Sequence, residues 1–269
     1  VANTVVKTAG TKKTRKNTPK KQGSQDTVSG HQALGKSTAR PAHTGSNSTG
    51  SGSGGNTARV LRRLKADYPE VRCALNYRSP FQLLVATILS AQCTDVRVNL
   101  VTRDLFRKYR TPAMFAKATQ KELEACIKST GFFRNKAKNI KACSLALLEK
   151  HGGKVPRRME PLVALPGVGR KTANVVLGTA FRLASGIAVD THVGRLSRRL
   201  GLSSETDPVK VERDLMEQLP KKEWIDFSHR MIYHGRAVCN ARKPLCDVCS
   251  MRHFCPHLGA AISAENVIQ

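Results

Sequence analysis

Acidic residues are scarce in this chain: 19 Asp and Glu stand against 46 Lys and Arg, a formal charge of +27 over 269 residues. So one-sided a balance points to a polyanionic partner, either nucleic acid or an acidic membrane surface. Long apolar runs are missing too. No stretch of about 18 apolar residues occurs, so no membrane span is expected. No apolar signal-peptide core follows the basic N-terminus, so export is not expected. Sustained two-residue alternation is absent outside Gly186–Val189, which argues against a sheet and for an all-α chain. In a chain with no export signal, eight cysteines are not expected to form a disulfide framework. Cys73, Cys93, Cys126 and Cys143 lie among apolar residues and read as core fillers. The other four fall within residues 239–255 and call for a separate account.

The length suits one large or two small domains. Residues 1–57 hold nine of the basic residues and one acid, in a setting of Pro, Gly, Ser, Thr and Asn that ends in GSNSTGSGSGGN. Burial there cannot offset ordering entropy, so the segment reads as a disordered basic tail that adds nonspecific affinity for DNA. Its KKTRKNTPKK run also resembles a nuclear localisation signal. Without the tail, 37 basic and 18 acidic residues remain, so the folded part is itself strongly basic.

Helix signals then follow in order. A first helix is expected over Ala58–Tyr68, stopped by Pro69. Ser79-Pro80 opens a nearly all-apolar central helix. Thr94-Asp95 and Thr111-Pro112 open two more, and Thr119 with Glu122 forms a capping box for a fifth. Another runs from about Arg134 to Lys150 and ends at Gly152-Gly153. Asp207-Pro208 starts a late helix. A last long one carries Trp224, Phe227, Met231 and Ile232 and is expected to close at Gly235.

Residues 165–190, LPGVGRKTANVVLGTAFRLASGIAVD, organise the rest. Pro166-Gly167-Val168-Gly169 forces a tight turn. Ala173, Val176, Leu177, Ala180 and Phe181 then give a helix with one buried stripe. The pattern is helix–hairpin–helix, with free backbone N–H groups of the kind that attract phosphate. Gly167, Val168, Gly169 and Arg170 are therefore the residues expected to touch a nucleic-acid backbone. Lys171 lies in the first turn of the second helix, where the helix dipole disfavours a cation. Partial burial there would favour its neutral, nucleophilic amine. The plainer alternative is that Lys171 only touches a phosphate. Asp190, just before Thr191-His192-Val193, is expected to cap the next helix, a position that favours a negative charge. His192 is either a phosphate contact or an ordinary polar residue at a helix start.

Cys239, Cys246, Cys249 and Cys255 are spaced Cys-x6-Cys-x2-Cys-x5-Cys. Structural zinc usually takes two close pairs, and only Cys246/Cys249 is close. A cubane iron–sulfur cluster accepts uneven spacing. Spacing alone leaves both metals open.

LPGVGRKTAN followed by VDTH resembles the helix–hairpin–helix DNA glycosylases, and among them the endonuclease III family, from about Ala58 to Leu258. The connection Arg182–Gly186 is about one residue longer than the usual bacterial pattern, which a loop tolerates. The resemblance implies that Lys171 is the Schiff-base lysine and Asp190 the catalytic aspartate. It implies a [4Fe-4S] cluster on the four clustered cysteines, beside a basic finger of Arg242, Lys243 and Arg252. Gln92 in SAQCTD matches the family's inserting glutamine, and Phe132 in GFFRNKA stands where a bulky wedge is placed. The alternatives are a helix-end hydrogen bonder for Gln92 and a core residue for Phe132. His234-Gly235-Arg236 matches the segment before the first cluster cysteine and reads as structural, with Arg236 a further candidate near phosphate.

The implied architecture is two helical lobes. A six-helix barrel would span 79–189, a cluster lobe would join 58–78 to 190–258, and 259–269 would form a C-terminal tail. The implied partner is double-stranded DNA with damaged bases or abasic sites, bound by a monomer, with no membrane. The expected location is the bacterial cytoplasm on the nucleoid, or the nucleus for a eukaryotic source. The implied activity is a bifunctional glycosylase and abasic-site lyase. Lys171 favours oxidised pyrimidines of the thymine glycol type over the mismatch-directed relatives, which lack it. Pyrimidine dimers are the runner-up substrate, and a noncatalytic DNA-binding module or DNA-bound electron carrier is the reading from another class.

Overall fold

A computed structural model describes residues 53–258. The expectations for residues 1–52 and 259–269 lie outside the described residues. Among the described residues every regular element is a helix, and Gly186–Val189 forms no strand.

Helix α1 spans Ser53–Asp67, starting ahead of the expected Ala58. Two polar side chains explain the early start. The Asn56 amide donates to Leu200 O at 2.6 Å, and the Thr57 hydroxyl donates to Gln218 Oε1 at 2.6 Å. Both partners lie more than 140 residues away, so local composition could not show them.

The next starts are set locally. Helix α2 (Pro80–Leu89) is capped by the Ser79 hydroxyl, α3 (Asp95–Lys108) by Thr94 and α4 (Pro112–Lys117) by Thr111. Both bonds of the capping box at α5 (Gln120–Ile127) are present. Each such cap contributes about 1 kcal/mol. Helix α6 covers Phe133–His151 and stops at Gly152, in the left-handed region with φ 56°. The short α7 (Met159–Val163) leads into the hairpin. Then come α8 (Arg170–Phe181), α9 (Thr191–Arg199), α10 (Pro208–Gln218) and α11 (Trp224–Ala237).

Helix α11 does not close at Gly235 but runs through it. The glycine is there for close approach. A Cβ at this position would lie 2.8 Å from His192 Nδ1.

Two hydrophobic cores hold these helices. The first takes Leu83, Leu84 and Leu89 of α2, Ile140 and Leu147 of α6, and Ala173, Val176 and Leu177 of α8. The second takes Val60 and Leu64 of α1, Val193 and Leu196 of α9, Val211 and Leu215 of α10, and Phe227 and Met231 of α11. A fully buried side chain of this size contributes about 1.5–3 kcal/mol. Leu75 packs in the first core, and Ile187 and Val189 in the second. The chain thus leaves one core at the end of α8 and enters the other at Ile187, just before Asp190. Cys143 is buried in the first core, and Cys73, Cys93 and Cys126 are partly buried against it.

Candidate active site and cysteine loop

The hairpin between α7 and α8 closes with Val168 N donating to Leu165 O at 3.1 Å. Gly167 takes φ 75°, and a Cβ there would meet Asn139 Cβ at 2.8 Å, so both backbone angle and space demand glycine. Val168 is buried and offers only its backbone to a ligand. Gly169 is the N-cap of α8 and has no side chain to cap it. The first N–H groups of α8 therefore keep their capacity for an anion.

The Arg170 side chain is engaged within the protein rather than free for DNA. Its Nε donates to Glu212 Oε2 at 2.6 Å and its Nη2 to Glu212 Oε1 at 3.2 Å. The buried Asn174 amide also donates to Glu212 Oε1, at 2.8 Å, and lies 3.4 Å from Ile187 O. Glu212 thus ties the first turns of α8 to α10 and to the stretch of chain that leads to Asp190.

Lys171 lies in the first turn of α8, as expected, but it is exposed. The partial burial anticipated for it is not provided by the free protein. Helical periodicity fixes which residues face the core and leaves open whether a second element covers the helix end.

Asp190 is the N-cap of α9, with Oδ1 accepting from Val193 N at 2.8 Å. His192 follows, with Arg195 Nη2 at 3.3 Å from its Nδ1. A guanidinium only donates, so Nδ1 is an acceptor in this contact. Burial holds the His192 imidazole below its ordinary value; Asp190 opposes that shift, and Arg195 and Arg236 reinforce it.

Gln92 and Phe132 both sit in the left-handed region, with φ 51° and 46°. Such angles are uncommon for residues other than glycine and cluster at functional sites. Gln92 is exposed in the turn after α2, and no hydrogen bond joins its side chain among the described residues. Phe132 is 67% exposed, so the core alternative fails for it. Arg236, a candidate phosphate contact, instead donates to Asp95 Oδ2 at 2.6 Å, from α11 to the start of α3. Asp95 is three residues past Gln92.

Cys239, Cys246, Cys249 and Cys255 are all free thiols and line one cavity after α11. Burial pushes the thiols of Cys246 and Cys249 up, and the neighbouring Cys239 and Cys255 push the same way. Four sulfurs in mutual electrostatic range are a donor set that a cationic centre would relieve. No group of three or more His, Cys, Asp or Glu among the described residues closes on a single metal ion. A cluster with several irons offers each thiolate its own corner, which suits four sulfurs around a shared cavity.

Two arginines of α9 hold this loop, and sequence reasoning missed both. Arg195 Nη2 donates to Gly235 O at 3.1 Å and Cys239 O at 2.9 Å. Arg199 Nη1 lies 3.3 Å from Cys239 Sγ and 2.7 Å from Asn240 O, and its Nη2 donates to Ala241 O at 2.8 Å. The only signal in the sequence was their i, i+4 spacing on one helix face. His234, buried on α11, places Nε2 3.7 Å from Cys249 Sγ and Nδ1 3.3 Å from the Tyr68 hydroxyl. Arg242, Lys243 and Arg252 are exposed on the loop.

Comparison with known proteins agrees with this geometry. The model of the HhH-GPD superfamily of base excision DNA repair proteins matches residues 85–221. Endonuclease III of Synechocystis sp. is 56% identical over 202 residues, covering 75% of this chain and 92% of the relative. Endonuclease III of Bacillus subtilis is 49% identical over 189 residues, covering 70% of this chain and 86% of the relative. A solved structure of a trapped covalent intermediate of endonuclease III with DNA superposes with a TM-score of 0.75 at 45% identity, covering 78% of this chain and 98% of that one. This chain belongs to the endonuclease III family of HhH-GPD base excision DNA repair proteins.

Proposed function

We propose that the chain is a bifunctional DNA glycosylase and abasic-site lyase that excises oxidised pyrimidines of the thymine glycol type, with Lys171 as nucleophile and Asp190 as its acidic partner. The observation that carries this reading is the pairing of two helix starts. An uncapped start presents Lys171 beside free backbone N–H groups, and a second start is capped by Asp190 itself. In keeping with it, the similar endonuclease III has been trapped as a covalent intermediate with DNA.

The division of labour follows from the residues. Residues 79–189 form the barrel lobe in this reading, and 58–78 with 190–258 form the cluster lobe. The hairpin amides of Gly167 to Arg170 take the backbone phosphate. A base stacked in a duplex is out of reach, so the target nucleotide is extruded. Gln92 and Phe132, exposed on tight turns, fill the gap it leaves.

Docking of the strand excludes water from Lys171. The amine bonds to C1′ as the bond from C1′ to the base breaks. Asp190 stabilises the positive charge that develops on the sugar and assists proton transfer. Ring opening gives an imine between Lys171 and C1′, which acidifies the C2′ protons. Loss of one of them expels the 3′ phosphate by β-elimination. When bound, a [4Fe-4S] cluster would supply the iron atoms that the four thiolates ligate, and that ligation would shape residues 239–255. Cys239, Cys246, Cys249 and Cys255 are its proposed ligands, and the exposed Arg242, Lys243 and Arg252 then face phosphate from that loop.

Duplexes carrying thymine glycol, a cyclobutane dimer, a T·G mismatch or an abasic site, compared side by side, test the reading. Cleavage of the first and last is expected to dominate. Preference for the dimer would move the assignment to the runner-up substrate, and no cleavage of any would leave only the noncatalytic reading.

A further inference from the structure

Lys136 is the only buried lysine among the described residues, with 4% of its surface exposed. It lies in the first turn of α6, an end of the helix that disfavours a cation. No carboxylate pairs with it among the described residues. A buried charge without a counterion is costly, and an apolar side chain would fill the same position at lower cost. Two backbone carbonyls account for the ammonium instead. Its Nζ donates to Leu89 O at 2.9 Å and to Thr130 O at 2.8 Å. We propose that Lys136 is a positioning residue that ties the turn of Gln92 to the turn of Phe132, so that the two side chains enter the duplex as one unit. The inference rests on the glycosylase reading above and deepens it by naming what holds the two inserted groups in register.

Both acceptors stand at the roots of these turns. Leu89 ends α2, three residues before Gln92. Its carbonyl is among the last of the helix, which find no partner within it, and no backbone N–H among the described residues donates to it. Thr130 ends the short turn of helix Lys128–Thr130, two residues before Phe132. Its carbonyl likewise accepts no backbone N–H among the described residues, and its hydroxyl is engaged with Ile127 O at 2.8 Å. The Lys136 backbone adds a third tie, its N donating to Phe132 O at 3.1 Å. One residue thus holds both turns, from a helix whose Ile140 and Leu147 are fixed in the first core. Burial pulls the ammonium below its ordinary value, and Cys93, the residue after Gln92, opposes that shift. The negative end of α2 also favours a cation at this spot.

The same ties account for the backbone at the two turns. Gln92 and Phe132 hold φ 51° and 46°, angles that persist only where the surroundings over-determine them. Their own side chains do not supply that constraint. Gln92 is exposed without a hydrogen bond among the described residues, and Phe132 is exposed. The constraint comes from the chain just before each turn, where Nζ holds both carbonyls at once.

Lys136→Met keeps the aliphatic stem and removes the ammonium, and Lys136→Arg restores donors for both carbonyls. Single-turnover excision of thymine glycol at saturating protein should fall roughly tenfold or more in Lys136→Met, as for a lost charged hydrogen bond, and recover at least in part in Lys136→Arg. Fluorescence of 2-aminopurine placed opposite the lesion reports the base left without its partner. Its rise on binding should shrink in Lys136→Met and return in Lys136→Arg. Phe132→Gly should cost little more once Lys136→Met is present, because the wedge is already out of register. A lysine that serves stability alone would leave both the fluorescence rise and the Phe132→Gly loss intact in that background, and either result would overturn the proposal, as would excision at the parental rate. Should Lys136→Met fail to fold, the cycle of Gln92→Ala and Phe132→Gly carries the test. The double variant should lose clearly less than the product of the two single losses, and the full product would overturn the coupling. Absence of thymine glycol excision in the unsubstituted protein would instead overturn the glycosylase reading beneath it.

Discussion

Replacing Phe132 with glycine distinguishes a DNA wedge from a structural aromatic. Phe132 holds φ 46° and is 67% exposed, whereas Phe115 is fully buried in the first core. A left-handed backbone costs a side-chain-bearing residue about 1–2 kcal/mol, which glycine recovers. Glycine gives back about 0.5–1 kcal/mol through the entropy of the unfolded chain. The buried third of the ring forfeits about another 0.5–1 kcal/mol. These terms nearly cancel, so Phe132→Gly should stay within about 1 kcal/mol of the parent, a shift of no more than about 4 °C in Tm. Phe115→Ala should cost about 3–5 kcal/mol by comparison. Excision from a damaged duplex should behave in the opposite way and drop about tenfold or more in Phe132→Gly, because nothing then holds the gap open. Thermal unfolding and single-turnover excision on the same preparations read both quantities. A large loss of stability with unchanged excision would refute the wedge and the reasoning from its backbone.

Three further outcomes are expected. Glu212→Ala should cost about 2–4 kcal/mol in urea unfolding. It orphans the buried Asn174 amide, whereas Arg170, 43% exposed, can rehydrate; Glu212→Gln should cost about half as much, and a loss below about 1 kcal/mol would show that the network is slack. Burial pushes the Cys143 thiol up to about 12, so alkylation of the native protein at pH 8 should spare it while unfolded protein is labelled there; native labelling would contradict its placement in the core. Removing residues 1–52 should flatten the salt dependence of duplex binding, by about 0.9 in the log–log slope for each phosphate that the tail neutralises, and an unchanged slope would make the basic tail a bystander.

What could be read from the chain itself was the chemistry that acts over a few residues. Ser79, Thr94, Thr111, Thr119 with Glu122, Asp190 and Asp207 all cap helices as their spacing predicts, since each bond joins a side chain to a backbone group two or three residues on. The hairpin glycine at 167 was legible for the same reason. Interactions between distant segments were not. Arg170 looked available to DNA until Glu212, 42 residues later, claimed it. Gly235 looked like a helix stop, yet it is a gap into which His192 fits. The early start of α1 depends on Leu200 and Gln218. Arg195 and Arg199 read as ordinary charges on a basic helix, although both are anchors for the cysteine loop. The exposure of Lys171 belongs to the same class, because it depends on what stands opposite the helix end.

The most direct test of the account is borohydride trapping on a duplex with an abasic site. The unsubstituted protein should form a covalent adduct that survives denaturation, and Lys171→Ala should form none while still binding the duplex. Asp190→Asn should slow adduct formation by orders of magnitude with binding nearly intact. An adduct that persists in Lys171→Ala would contradict the assignment of Lys171 as the nucleophile.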